Sequence, residues 1–495
     1  MTVINPNSIS GITSITLPSG DGNVLTIHTN DGTERFRIDS SGNVKVGSAC
    51  TISQDGDVFF TGVCTATTLT GAASGLTGTL PAISGANLTN LPAANLTGAL
   101  PAISGANLTG IAATDNVRTG ILDVAGIATF RSDVNIPNIN GGQIGGRRNL
   151  VQNGAMMVAQ RGTSSTTNAY ATIDRWRGDD NGTDEQTTKS QVDVASGTTP
   201  YTLGFRKAFR LTNGNQTSGA GTADHATMTH YFEAQNMSNS GWNYTSSSSF
   251  VTLSFWVKSS VAQNFYGYLR THDGSSYMYR FETGSLSANT WTKITKTVPG
   301  NSNLQIDNDN GVGFSIFLSA YRGTDQTGST TLNQWGAYDG TVRAPDYATT
   351  WWTTNDATFE ITGVQLEVGS QATPFEHLSY GEELAICQRY YFRFLEGNNR
   401  EIGVGWYYSG SHVSFMLRYP TTMRAIPTGT VTDVTNSMTI YRSGAADQFD
   451  TFTFENGSTE QYSAYNSSQV SGTAGQAGIM RSTSSAAIVE FSADI

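Results

Sequence analysis

The chain has 495 residues, 14% of them charged against about a quarter in ordinary soluble domains, and a net charge of −11. A chain this long predicts three or four units. The acidic balance excludes a basic face for nucleic acid or an anionic membrane surface, because phosphate contacts need clustered Lys and Arg. Three cysteines, Cys50, Cys64 and Cys387, have neither an even count nor Cys-x-x-Cys spacing, so free thiols in a protein made in a reducing cytoplasm are expected rather than a disulfide framework or a zinc site.

Residues 1–65 read as short strands joined by tight turns. The opening Met1-Thr-Val-Ile-Asn-Pro6 lacks a basic region followed by an apolar run, so no signal peptide is predicted. Val24–Thr29, Arg35–Ser40 and Val44–Val46 alternate apolar and polar residues, and Asp31-Gly32, Ser41-Gly42-Asn43 and Asp55-Gly56 supply the positive φ of hairpin turns. Such strands are too thinly apolar to make a core alone.

Residues 66–146 are read as shaft and neck. Leu80-Pro-Ala-Ile-Ser-Gly-Ala-Asn-Leu-Thr89 returns unchanged as Leu100–Thr109, and no Asp, Glu, Lys, Arg or His occurs from Val58 to Thr114. A flexible segment normally stays soluble through charge, and this one has none. Leu and Ile recur as thin rows among Gly, Ser, Thr, Asn and Pro, too sparse for a core within one chain but sufficient when identical chains wind about an axis. Frequent polar residues exclude a membrane span, and the spacing of Gly excludes collagen. A Ser/Thr/Gly linker is the plainer alternative, against which the periodic Leu and Ile argue. A homotrimeric shaft is therefore expected.

Near 147 the composition changes, and all eight Trp lie beyond it. Residues 147–376 predict a jelly-roll β-sandwich, with strands at Phe250–Lys258, Asn264–Thr271, Tyr277–Glu282, Thr290–Val298, Val312–Ala320 and Ala357–Val368. The apolar parity switches at Gly363, which predicts a bulge. Residues 377–392 contain a helix, Tyr380–Tyr391, with Leu384, Cys387 and Tyr391 as its apolar stripe. Residues 393–495 predict a smaller β domain. The fold class is thus all-β: an elongated trimeric stem, a sandwich, a connector helix and a tip.

Several passages carry a resemblance. Thr33–Val44 and the Gly-Ala-Asn-Leu-Thr-Gly repeats resemble those of tail-fibre proteins of marine and cyanobacterial phages. Arg148-Asn-Leu-Val-Gln-Asn-Gly154, Asp174-Arg-Trp-Arg177, Ser254-Phe-Trp-Val-Lys258 and Phe359–Glu376 resemble the carbohydrate-binding-module-like jelly roll of such fibres. Tyr419–Thr428 and Val489–Ile495 resemble their tip domain. The resemblance implies a virion protein of the phage tail. Its N-terminal part would join baseplate or tail proteins, and its distal part would contact bacterial surface polysaccharide or lipopolysaccharide. It also implies a structural calcium ion in the jelly roll, with ligands the sequence does not identify, and no other cofactor. The alternatives are a tailspike-like glycan depolymerase and a head or collar fibre.

No nucleophile elbow, Walker loop or His-Glu-x-x-His occurs, so a binding protein rather than an enzyme is expected. His225 and His230 lack a third metal ligand, and Asp307–Gly311 lacks the Gly and Glu of a calcium loop. The binding candidates are aromatic. Trp335, Tyr338, Trp351 and Trp352 lie in turn-rich segments suited to exposing rings, followed by Trp242 and Tyr244. With Asp273-Gly274 as a two-residue turn, Tyr268 faces Tyr279 and Arg270 faces Tyr277, giving a stacking face for sugar rings; a longer turn splits the cluster. A sandwich core is the competing reading of that stripe, and of Trp176 and Trp256.

Overall fold

The structure, a computed structural model, describes residues 24–48, 50–63, 65, 67 and 147–495. The repeats expected to form the shaft, the neck that follows them and Cys64 lie outside the described residues. The chain divides into two compact units, Met1–Asp123 and Val124–Ile495.

In the first unit, Leu25–His28, Glu34–Ile38, Val44–Val46, Cys50–Ile52 and Val58–Phe60 form an antiparallel meander in chain order. Gly32, Gly42 and Gly56 turn it with φ of 78°, 83° and 93°. The register aligns Leu25, Ile38, Val44, Ile52 and Val58 in one cross-strand row and Ile27, Phe36, Val46, Cys50 and Phe60 in the next. Because side chains alternate along a strand, both rows share one face. Thr26, Arg37, Lys45, Thr51 and Phe59 take the other, where Arg37 pairs with Glu34 at 2.7 Å. None of the unit's described residues is buried.

The second unit holds the predicted sandwich. One six-stranded sheet runs Trp335–Ala337, Tyr277–Ser285, Asn264–Thr271, Val312–Arg322, His225–Glu233, Trp176–Asn181. The other runs Thr292–Pro299, Phe250–Ser259, Thr358–Val368, Lys207–Thr212, Thr188–Asp193, Ser164–Ser165. All pairings within them are antiparallel. Val251, Leu253, Phe255 and Val257 face Leu269, Phe281, Phe314, Ile316 and Leu318 across a buried apolar core. The bulge at Gly363 is present: the register shifts between Ser254 and Trp256, and Gly363 has φ 60°.

Three of the four passages that carry the jelly-roll resemblance, Arg148–Gly154, Asp174–Arg177 and Phe359–Glu376, meet in one hydrogen-bonded knot. Asn149 Nδ2 donates to Val364 O at 3.2 Å, and Asn149 Oδ1 accepts from Val151 and Leu366 N–H groups. Asn153 donates to the carbonyls of Val158 and Asp174, and Trp176 Nε1 donates to Asn153 O. Glu376 accepts from Asn149 N at 2.7 Å. A side chain at Gly154 would put its Cβ 2.1 Å from Val364 O, so only glycine lets this turn approach the strand Thr358–Val368.

Buried beneath the knot, Asp174 has its carboxyl pushed up to about 6 by desolvation, against hydrogen bonds from Gln160 that favour the charge. A raised carboxyl contributes stability that is complete below its unfolded pKa and is lost as pH rises through the folded one. The expected loss is about 3 kcal/mol between about pH 4 and pH 6. Urea unfolding at those two pH values should show this fall in the native chain and not in Asp174→Asn; equal slopes in both would refute it.

The connector helix is shorter than the sequence indicates, Tyr380–Gln388, and Tyr391 begins the next strand. Its start is fixed by a capping box between Ser379 and Glu382. Its buried side chains are Glu383 and Cys387, while Leu384 is half-buried. The C-terminal β domain follows, with a core of its own that includes Tyr407, Phe415, Met438, Met480, Val489 and Phe491. It comprises a three-stranded sheet, Tyr391–Glu396, Ile488–Ser492, Thr428–Val431, and a seven-stranded one from Ala445–Phe449 to Thr453–Glu455.

That domain joins the sandwich through polar contacts. Arg389 donates to both oxygens of fully buried Glu233 at 2.9 and 2.8 Å, and Tyr390 Oη donates to Glu233 at 2.5 Å. Buried Arg175 lies 3.5 Å over the Tyr390 ring and 3.8 Å from Asp494, which also pairs with Arg161.

Candidate glycan-binding face

Alternation along the first sheet sends one set of side chains into the core and the other onto its outer face. On Val312–Arg322, Phe314, Ile316 and Leu318 go inward, so Ser315, Phe317 and Ser319 go outward. The register then aligns Arg177, Thr229, Phe317, Tyr268 and Arg280 in one outer row, with Tyr231, Ser315, Arg270 and Met278 in the adjacent row.

Rings dominate the centre of this face. Tyr268 stacks on Phe317 with centroids 4.5 Å apart and planes 17° from parallel. Tyr231 meets Phe317 edge-on at 5.9 Å and lies 5.9 Å from His272. The Arg270 guanidinium sits 3.6 Å over the Tyr338 ring and donates to Ser276. Arg280 donates twice to Val342 O, at 3.0 and 2.7 Å, while Arg343 donates to Gln326 at 2.7 Å. These contacts hold the segment after Trp335 across half of the face and bury Tyr268 beneath it. Tyr231, Phe317, His272, Arg270 and Arg177 stay partly open.

The polar groups around the rings suit hydroxyl recognition. Arg177 and Asp179 form a two-point pair at 2.6 and 2.9 Å, leaving guanidinium donors and carboxylate acceptors at the rim. Burial raises the Tyr231 hydroxyl above the usual phenol range and keeps it a donor. Burial, helped by the charge of Arg270, brings His272 down to about 4, so at neutral pH it is an uncharged ring hydrogen-bonded to Ser315 at 2.8 Å.

The structure brings together three of the residues singled out in the sequence, Tyr268, Arg270 and Tyr338, and separates the others. The hairpin loop spans His272–Ser276 rather than two residues, because the Thr271 and Ser276 hydroxyls bridge its ends, Thr271 accepting from Tyr277 N at 3.0 Å. The register shifts by one: Tyr268 faces Arg280, Leu269 faces Tyr279, and Tyr279 turns into the core. The expected Tyr268–Tyr279 pairing is thus corrected.

Trp351 and Trp352 are also corrected, since both are fully buried on the short helix Thr350–Thr353. Trp242 is buried against Phe314, and half-buried Tyr244 donates to Ile306 O at 3.2 Å. Trp335 packs edge-on against Tyr279 and donates to Pro299 O at 2.7 Å. Trp176 is core as expected, whereas Trp256 is only half-buried. Tyr231, Phe317, His272, Arg177 and Asp179 were missed. The parity of Val312–Arg322 was the signal that could have found Phe317, whose odd number sets it apart from Phe314, Ile316 and Leu318. Among the described residues no group of three His, Cys, Asp or Glu is placed to hold a metal, and His225 and His230 point to opposite faces of their strand.

No protein-family model and no curated protein sequence matches the chain. Solved structures similar to it include the enzymatically active domain of tailspike protein 4 of bacteriophage CBA120, at 13% identity over 44% of this chain and 21% of that one, TM-score 0.25. The N-terminal cellulose-binding domain of a Cellulomonas fimi β-1,4-glucanase matches at 9% identity over 44% of this chain and 99% of that one, TM-score 0.22. A family 11 carbohydrate-binding module from Clostridium thermocellum matches at 12%, over 40% and 91%, TM-score 0.20. The similar structures thus include a phage tailspike domain and carbohydrate-binding modules.

They also include an exo-β-agarase, matched over 25% of its chain, and modules of a Clostridium thermocellum xylanase, matched over 30%. With enzymes and an enzymatically active domain among these partial, low-identity matches, the expectation that the chain is not an enzyme is withdrawn. Release of reducing ends from a polysaccharide is the measurement that decides it.

Proposed function

We propose that the sandwich binds a glycan on the outer face of its first sheet, and that the protein is a homotrimeric phage tail fibre carrying this domain to host surface polysaccharide or lipopolysaccharide. The observation that carries the binding reading is the pair of partly open rings, Tyr231 and Phe317, on the outer face of the sheet, backed by buried Tyr268 and flanked by Arg177, Arg270 and Asp179. Rings offer flat apolar surface to the C–H faces of sugars, and the flanking charges meet hydroxyls. Phe317→Ala is expected to weaken binding on a host-glycan array by about tenfold while leaving the thermal unfolding of the sandwich in place. Undiminished binding by a folded variant would move the site elsewhere.

The two apolar rows of the N-terminal meander support the trimer. They carry no charge and none of their residues is buried by the described residues of their own unit, and a second and third copy would present matching rows. Three linked sites would also raise weak affinity by avidity. The tail assignment rests on the resemblance of Thr33–Val44 and of the repeats, and labelling on intact particles tests it. Val46→Asp is expected to convert a species of three times the chain mass to a single chain in sedimentation equilibrium. A native chain that sediments alone would overturn the trimer.

A further inference from the structure

The outer face of the second sheet holds a different cavity, of about 410 Å³, at the Gly363 bulge. Trp256 points outward there, since Phe255 and Val257 on either side are core. Phe205 and Phe375 pack edge to face, 4.9 Å between centroids, and complete the aromatic lining. Gly363 makes this possible: a Cβ there would lie 2.5 Å from the Phe205 ring, and φ of 60° disfavours any other residue. The volume falls in the range of small-ligand sites, which are mostly apolar with a few placed polar groups.

The polar groups facing this cavity are short of acceptors. The Trp256 indole N–H and the Lys293 ammonium can only donate. Lys293 sits beside Trp256 in the sheet register and has no acidic partner among the described residues. Neither side chain, nor the Ser254 hydroxyl, takes part in a hydrogen bond among the described residues. His377 commits its Nε2 hydrogen to Leu203 O at 2.9 Å. No Asp or Glu lines the space, and the nearby Glu360 is already held by Arg210 and Lys258 at 2.9 and 3.0 Å. A ligand matching these groups has a ring with an apolar C–H face and an anionic acceptor at one edge.

We infer that this cavity is a second sugar site, specific for a pyranose carrying a negative group. It lies on the opposite sheet from the proposed glycan face and does not depend on that face. Carboxylate and sulfate share the required chemistry, and the experiment separates them.

The test is ligand-observed NMR on the full chain with glucuronate, glucose 6-sulfate and glucose. Binding of at least one acidic sugar is expected, about tenfold tighter than that of glucose, as one hydrogen bond to a charged group provides. Lys293→Gln, an exposed change that spares the fold, is expected to remove that preference. Trp256→Ala is expected to abolish binding, with circular dichroism confirming that the chain is folded. Should Trp256→Ala unfold, Lys293→Gln carries the test alone. Phe317→Ala is expected to leave acidic-sugar binding intact. Equal binding of glucose, no binding of any of the three, an unaltered preference in Lys293→Gln, or loss in Phe317→Ala would each overturn the assignment.

Discussion

Trp352→Ala is expected to destabilise the sandwich by about 3–5 kcal/mol, the cost of emptying a large aromatic site in a close-packed interior. Trp352 is fully buried, lies 5.0 Å from the Tyr321 ring, and donates from Nε1 to Gly219 O at 2.9 Å. Truncation therefore removes packing and leaves a carbonyl without its donor. Trp351 beside it is equally buried, and the carbonyls of both accept from Asn213 Nδ2. Urea unfolding followed by circular dichroism would show the shift in midpoint. Glycan binding, measured where the variant is still folded, should be unchanged. A loss of binding with unchanged stability would mean that the ring meets ligand after all.

Why these tryptophans look exposed in sequence is instructive. Thr349-Thr350-Trp351-Trp352-Thr353-Thr354 carries neither strand alternation nor helical spacing, and polar neighbours mark it as a loop. Its burial is decided by Asn213 and Gln263 from distant segments, Gln263 accepting from Trp351 N at 3.1 Å. Composition cannot register such long-range contacts. The site failed for a similar reason. Tyr268, Arg270 and Tyr338 were legible as polar-tipped residues of suitable chemistry, but which residues shared their face depended on the length of one loop. Thr271 and Ser276 set that length through side-chain hydrogen bonds, and one residue of register exchanges the two faces.

The fold was more legible than the site. Asn264–Thr271 has the predicted bounds, and five other predicted strands of the sandwich occur within three residues of theirs, because alternation and turn residues are local signals. The passages Arg148–Gly154, Asp174–Arg177 and Phe359–Glu376 resemble a known jelly roll for a reason now visible. Their Asn, Trp and Gly residues hydrogen-bond or closely approach one another inside the protein. Most of them specify the sandwich, and of these three passages only Arg177 also reaches the proposed sugar face, so the best-recognised residues were largely not the functional ones.

Glu233→Gln should loosen the C-terminal domain from the sandwich, at a cost of about 3 kcal/mol. The Glu233 carboxylate is buried and receives four donors, two from Arg389 and one each from Tyr390 and Gln235. Burial opposes its charge, yet the bonds from Arg389, Tyr390 and Gln235 prevail and hold it below the ordinary carboxylate range. A neutral amide keeps the shape but leaves the guanidinium without its counter-charge. Arg389 is about a third exposed and can turn to water, which sets the estimate at the low end for a broken buried pair. The sign with pH follows from the depressed value. This contribution is present above the unfolded carboxyl pKa, about 4.3, and is lost as pH falls through the folded one. Unfolding of the native chain should therefore separate into two steps on acidification, the C-terminal domain detaching first. Glu233→Gln should show that separation already at neutral pH. Limited proteolysis between the helix Tyr380–Gln388 and the strand Tyr391–Glu396 would report it. Equal resistance of both chains at pH 7 would show that Asp494, Arg161 and Arg175 hold the two domains together without Glu233.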